Sequence, residues 1–149
     1  MAAVNLHSLT THPSQHLCAA WSQRQRGRIM QGMDIEYPGF GVIVVEGTRF
    51  EHDVVIEKGV VRPRDKGPSR ARKRPGTHTP LSVAEDIPWS NTSLVIGSGY
   101  SGRLPIMQDL RDEARARGVE LVVEPTKQAC SMLREADPSE VNAILHVTC

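Results

Sequence analysis

The last third of the chain switches repeatedly between two hydrophobic periods, and that switching limits the folds open to it. "TSLVIG", Thr92 to Gly97, centres on the apolar run Leu94-Val95-Ile96 and reads as a buried strand. "IMQDLRDEARARG" follows with Ile106, Met107, Leu110 and Ala114 at helical spacing. Asp109, Arg111, Asp112, Glu113 and Arg115 lie mostly off that stripe, and Gly118 is placed as a C-cap. "VELVVEP", Val119 to Pro125, returns to strand character. "TKQACSMLREAD" sets Ala129, Met132, Leu133 and Ala136 on one helical face, with Thr126 expected as N-cap. "EVNAILHVTC" closes the series as an apolar strand. A β-α-β-α-β order needs crossovers that lay helices over a sheet.

Upstream the pattern is all β. "GFGVIVVEG", Gly39 to Gly47, is a glycine-bounded strand, and "DVVIEKGVVRP", Asp53 to Pro63, is a hairpin turning at Glu57-Lys58-Gly59. "RDKGPSRARKRPGTHTP", Arg64 to Pro80, carries too much Gly and Pro for long regular structure. Ser82-x-x-Glu85 then spells a capping box for a short helix that Pro88 must stop. The expectation is an α/β fold: a single three-layer domain over 33–149, its central mixed β-sheet flanked by helices, with an additional β-hairpin layer. Residues 1–32 contain no acid. They are expected to be a disordered tail, an organelle presequence, or sequence ahead of a true start at Met30 or Met33.

A formal net charge of +1 gives no general attraction to nucleic acid or an anionic membrane. No apolar run approaches the roughly 20 residues that span a bilayer. A soluble protein of the cytoplasm is expected, or of the mitochondrion if 1–32 is a presequence. Cys18, Cys130 and Cys149 are an odd, scattered set without metal-ligand spacing, which suits reduced thiols. His7, His12 and His16 form a chance tract in the tail. No metal and no cofactor are expected.

Two features invite a chemical interpretation. Gly97-Ser98-Gly99-Tyr100-Ser101-Gly102 spells G-x-G-x-x-G behind a strand, and Glu124 stands near the spacing of a ribose-binding acid. Arg103-Leu104-Pro105 delays the helix, however, and too little chain follows Glu124 to complete a dinucleotide fold. A structural turn, or a small-anion turn using Gly97, Ser98, Gly99 and Arg103 with His78 folded over it, is expected instead. The second feature is the cationic run Arg70, Arg72, Lys73 and Arg74, a solvated loop or a docking patch for a protein partner. It has no interleaved aromatics, so nucleic acid is not its expected partner.

No catalytic constellation emerges. Gly99-Tyr100-Ser101-Gly102-Arg103 fails as a nucleophile elbow because Arg103 replaces the final glycine. His146 reads as a satisfied strand histidine, and on a strand it would face away from Cys149 three residues later. Cys130 reads as core.

"LVIGSGYSGRL", "GVELVVEPTKQACSML" and the closing "LHVTC", with "PGTHTP" supplying a Gly-then-His loop at His78, resemble the adipogenesis-associated Mth domain family. The resemblance spans roughly Phe40 to Cys149. It implies a three-layer α/β domain with no established reaction or cofactor, whose better understood members, a mitochondrial complex I assembly factor among them, act through protein partners. A non-enzymatic interaction or assembly role is therefore the first expectation. The alternative is a small-anion- or nucleotide-binding protein, or an enzyme, that uses the Gly97–Gly102 strand-to-helix turn.

Overall fold

Alternating side chains along each central strand feed two separate cores, and this determines the layering. In the computed structural model, which describes residues 32–149, eight strands and two α-helices are found among the described residues. The expected tail at 1–32 lies, but for Gly32, outside them. The strands are β1 (Ile35–Gly39), β2 (Val42–Val45), β3 (Thr48–Phe50), β4 (Val54–Glu57), β5 (Val60–Pro63), β6 (Ser93–Gly97), β7 (Glu120–Glu124) and β8 (Val141–Leu145). The helices are α1 (Gln108–Ala116) and α2 (Thr126–Glu135). A 3-10 helix, Gly67–Arg72, occupies the basic loop.

The larger sheet has the order β5-β4-β8-β6-β7, and β1-β2-β3 form a separate antiparallel sheet. β6 pairs in parallel with both β7 and β8, while β4 runs antiparallel to β8. From β6 the chain crosses outward through α1 to β7, then back through α2 to β8, so the two helices cover opposite faces. Leu94, Ile96, Val55 and Ile144 pack with Leu110 and Ala114 of α1. Val95, Val54, Ile56, Ala143 and Leu145 pack with Ala129, Cys130 and Leu133 of α2 and with Ile35, Ile43 and Val45 of the small sheet. The period of two thus divides each strand between the cores.

The mixed sheet and its flanking helices agree with the sequence; the extra layer is the three-stranded sheet β1-β2-β3 and not a hairpin, while the expected hairpin, β4-β5, forms one edge of the larger sheet. The hairpin β4-β5 turns at Lys58 (φ 49°) and Gly59 (φ 79°), the primed geometry that favours glycine at the second position. Gly118, at φ 68°, ends α1 with Val119 N–H donating to the Ala114 carbonyl.

Two local expectations fail. Ser82–Glu85 is a turn, not a helix start: Ser82 Oγ lies 2.7 Å from Ser69 Oγ, and the Glu85 carboxylate leaves for Arg64. Thr126 is the first residue inside α2, not its cap, because its hydroxyl donates to the His146 carbonyl at 2.6 Å.

Candidate functional site

The glycine turn consumes its own donors. Ser98 N–H donates to the Glu124 carbonyl (2.8 Å), Gly99 N–H to Thr126 Oγ1 (2.9 Å) and Tyr100 N–H to the Thr148 carbonyl (2.9 Å). Ser101 and Arg103 N–H both donate to the Cys149 main-chain oxygen, at 3.0 and 3.2 Å, and Gly102 and Leu104 close the turn onto Gly99 and Ser98. A nest that would have met an anion is filled by residues 148–149. Gly99 is required for a steric reason as well: a Cβ there would stand 2.4 Å from the Cys149 carbonyl carbon, at φ +107°. Gly97 is similarly crowded, by Leu145 and Thr126 at 2.9 Å.

A buried ionic cluster lies at the neighbouring sheet end. The β4–β8 register pairs Val54 with Leu145, so Asp53 and His146 stand opposite each other one step beyond the ladder. Asp53 Oδ2 is 2.7 Å from His146 Nδ1, 3.1 Å from Arg64 and 3.1 Å from Lys66 Nζ, and Oδ1 accepts from Val147 N–H at 3.0 Å. Arg64 completes a bidentate pair with Glu85 (2.7 and 2.8 Å) and donates to the Pro80 carbonyl. Burial would raise the Asp53 carboxyl, but the His146 hydrogen bond, the charges of His146 and Lys66 and the Val147 amide outweigh it and hold Asp53 far below the usual carboxylate range. Burial likewise opposes charge on Arg64, yet Glu85 and Asp53 keep its pKa raised. Arg64 and Lys66 therefore anchor the loop; Arg64 is no part of a solvent-facing basic patch.

An ionised Asp53 is an acceptor only, so Nδ1 of His146 carries the proton. In the neutral ring Nε2 then presents a lone pair, and the Thr148 hydroxyl lies 3.2 Å from it. His78 meets His146 edge to face, with ring centroids 5.0 Å apart. Burial first, then the charges of His146 and Lys66, push the His78 pKa below the ordinary histidine value, while Asp53 acts the other way. The chain leaves its ladder at Leu145, so strand alternation no longer separates His146 from Cys149. Ligand atoms of His78, His146 and Cys149 all lie within 4.8 Å of one another. This grouping corrects the expectation that His146 and Cys149 diverge, and it joins residues that no local spacing connects.

His78 also lines a cavity of about 550 Å³, together with Arg72, Arg74, Thr77, Pro80, Pro105 and Met107. The sequence placed His78 with Gly97, Ser98, Gly99 and Arg103, and Arg72 and Arg74 with Arg70 and Lys73. Arg70, Arg72, Lys73 and Arg74 are all exposed. Arg72 pairs with Asp109 of α1, which ties the loop to that helix. Asp53, Arg64 and Glu85 were missed as site residues. A single signal could have found Asp53: an acid and a histidine at the matching ends of two apolar runs destined to pair.

The arrangement is that of a two-sheet α/β domain with one buried carboxylate–histidine pair beneath a loop-lined cavity. By likeness to solved structures, the chain belongs to the family of Mth938-like domains, for which no biochemical activity is established. It is 30% identical to the conserved hypothetical protein PH1505 from Pyrococcus horikoshii OT3, over 78% of this chain and 100% of that one, with a TM-score of 0.65. A structure described as MT938 is 26% identical over 78% of this chain and 99% of that one, with a TM-score of 0.60. A Mth938-like domain protein from Bordetella pertussis is 21% identical, covers 73% of this chain and 82% of its own, and has a TM-score of 0.44. No family model matches the chain, and no curated protein does. Among the described residues, no helix is long and apolar enough to cross a membrane.

Proposed function

We propose that this domain binds a small organic anion in the cavity beside His78. The observation that carries this is the cavity's lining: Arg74 and His78 provide polar groups, Arg72 adds a guanidinium already paired on one side with Asp109, Thr77 braces the loop by donating to the Arg74 carbonyl, and Pro80, Pro105 and Met107 provide an apolar wall. Its volume, about 550 Å³, falls within the range of small-molecule sites, and a few convergent polar groups on an apolar surface are what such sites use. A carboxylate or phosphate on a compact apolar body suits this lining; the guanidinium of Arg74 would bind it through paired N–H donors. The anchored base, Arg64 on Asp53 and Glu85, supports the reading because a preorganised loop loses little freedom on binding.

Isothermal titration against di- and tricarboxylates and phosphorylated small molecules tests it. At least one ligand should bind, and Arg74→Glu should weaken it at least tenfold. Absence of heat across the panel at millimolar ligand, or affinity indifferent to Arg74→Glu, would contradict it.

A second reading, that the domain acts through a protein partner, draws support from the exposed aromatic pair Phe40 and Tyr100. They are 62% and 61% exposed, with ring centroids 6.3 Å apart. Aromatic side chains left in water are common anchors at interfaces. Loss of a co-purifying partner in the Phe40→Ser/Tyr100→Ser variant, but not in Arg74→Glu, would favour it.

A further inference from the structure

We propose that His78, His146 and Cys149 form a binding site for a borderline-soft divalent cation, zinc foremost. Three observations carry it. The first is the donor set itself: two imidazole nitrogens and one thiol sulfur, drawn from positions far apart in sequence, have ligand atoms within 4.8 Å of one another. Two nitrogens and a thiolate are a zinc-type set, whereas magnesium and calcium require oxygen.

The second is the support behind His146. Asp53 Oδ2 holds Nδ1 at 2.7 Å, and Arg64 and Lys66 hold that carboxylate in turn. A metal-bound histidine almost always donates its other ring N–H to a carboxylate or carbonyl, which fixes the tautomer and raises the basicity of the ligating nitrogen. The free lone pair therefore sits on Nε2, toward Thr148, whose hydroxyl is the group a cation would displace.

The third is the freedom of the other two ligands. Bonds of about 2.0–2.3 Å to a tetrahedral zinc put donor atoms roughly 3.3–3.8 Å apart, so the cluster has to contract by about 1 Å. His146 is 1% exposed and fixed, while His78 and Cys149 are only half-buried and can supply the movement. Binding converts the Cys149 thiol to thiolate and releases its proton to solvent. Three protein ligands leave a fourth position for water or for a ligand carboxylate or phosphate, and His78 is shared with the cavity. The inference does not depend on the anion reading: the two have only His78 in common.

The test uses the reduced full-length chain with cobalt(II) and zinc(II) as probes. One equivalent of cobalt should bind and give a thiolate-to-cobalt charge-transfer band in the near ultraviolet. That band should vanish in Cys149→Ser. Zinc affinity, measured by competition with a chromophoric chelator, should fall at least tenfold in Cys149→Ser and in His78→Ala, and should be unchanged in Arg74→Glu. Both informative side chains are half-buried, so these variants keep the fold; His146→Gln is added where circular dichroism shows it folded, and should also lose at least tenfold. Cobalt binding without a thiolate band, a band that survives Cys149→Ser, no binding at all, or zinc affinity indifferent to His78→Ala overturns the proposal. Loss of anion binding in Arg74→Glu alongside intact zinc binding separates the two sites.

Discussion

The glycine turn at residues 97–104 and the basic loop at 64–80 exchange the roles that their sequences advertise. The turn carries a recognisable phosphate-binding spelling, yet every amide from Ser98 to Leu104 donates within the chain. The loop looks like solvated connection, yet Arg64 is buried in a bidentate pair with Glu85, and Arg72, Arg74 and His78 line the cavity. A glycine pattern specifies a backbone path; which acceptor meets that path depends on what folds against it. Here the acceptors come from residues 124, 126, 148 and 149. In the loop, Arg64 and Lys66 place their charges on Asp53 and Glu85, and this anchors the segment that carries Arg72, Arg74 and His78.

The sharpest way to break this contrast is to remove the anchor. Arg64→Ala leaves Glu85 and Asp53 buried without their partner, and should cost about 3–5 kcal/mol by denaturant unfolding. A loss below about 1 kcal/mol would mean that the loop is not held this way. Next comes Gly99→Ala, where a Cβ meets the Cys149 backbone at 2.4 Å and φ is +107°. It should cost about 2–4 kcal/mol while sparing ligand affinity at the cavity. Arg74→Glu should do the reverse, changing stability by no more than about 0.5 kcal/mol while weakening anion binding.

Cys130 and Cys149 extend the contrast with the smallest effect on stability. Burial pushes the Cys130 thiol from 9.0 up to about 12, with Arg134 opposing weakly, so Cys130 should resist iodoacetamide at about pH 8 while half-buried Cys149 reacts. Peptide mapping reads both. A raised folded pKa means the contribution of Cys130 is intact below pH 9.0 and declines as pH rises toward about 12, so unfolding at alkaline pH should become easier across that window.

Much of the fold was legible because burial writes itself in periods. Leu94, Val95 and Ile96 announced a strand covered on both faces, and Leu110 and Ala114 a helix covered on one. β1 was not legible, since Pro38 interrupts a short run; it is tolerated on an edge strand whose register with β2 is irregular between Glu36 and Gly39. Ser82 and Glu85 misled because a capping box is a local pattern, and a buried guanidinium offers Glu85 a better partner than a backbone amide. Of the site, the sequence named His78 and the arginines but attached them to different neighbours. Asp53 and His146 are 93 residues apart, and only the β4–β8 register makes them a pair. Treating His146 and Cys149 as one continuous strand hid their meeting, because the ladder stops at Leu145.

On the proposed function, recognition belongs to the cavity beside His78 and not to the glycine turn. Amide-resolved NMR titration of the full chain with citrate and with pyrophosphate tests it most directly. Resonances of Arg74, Thr77 and His78 should shift in a saturable way while those of Ser98 to Arg103 stay still. Saturable shifts confined to Ser98–Arg103, with the loop silent, would contradict it.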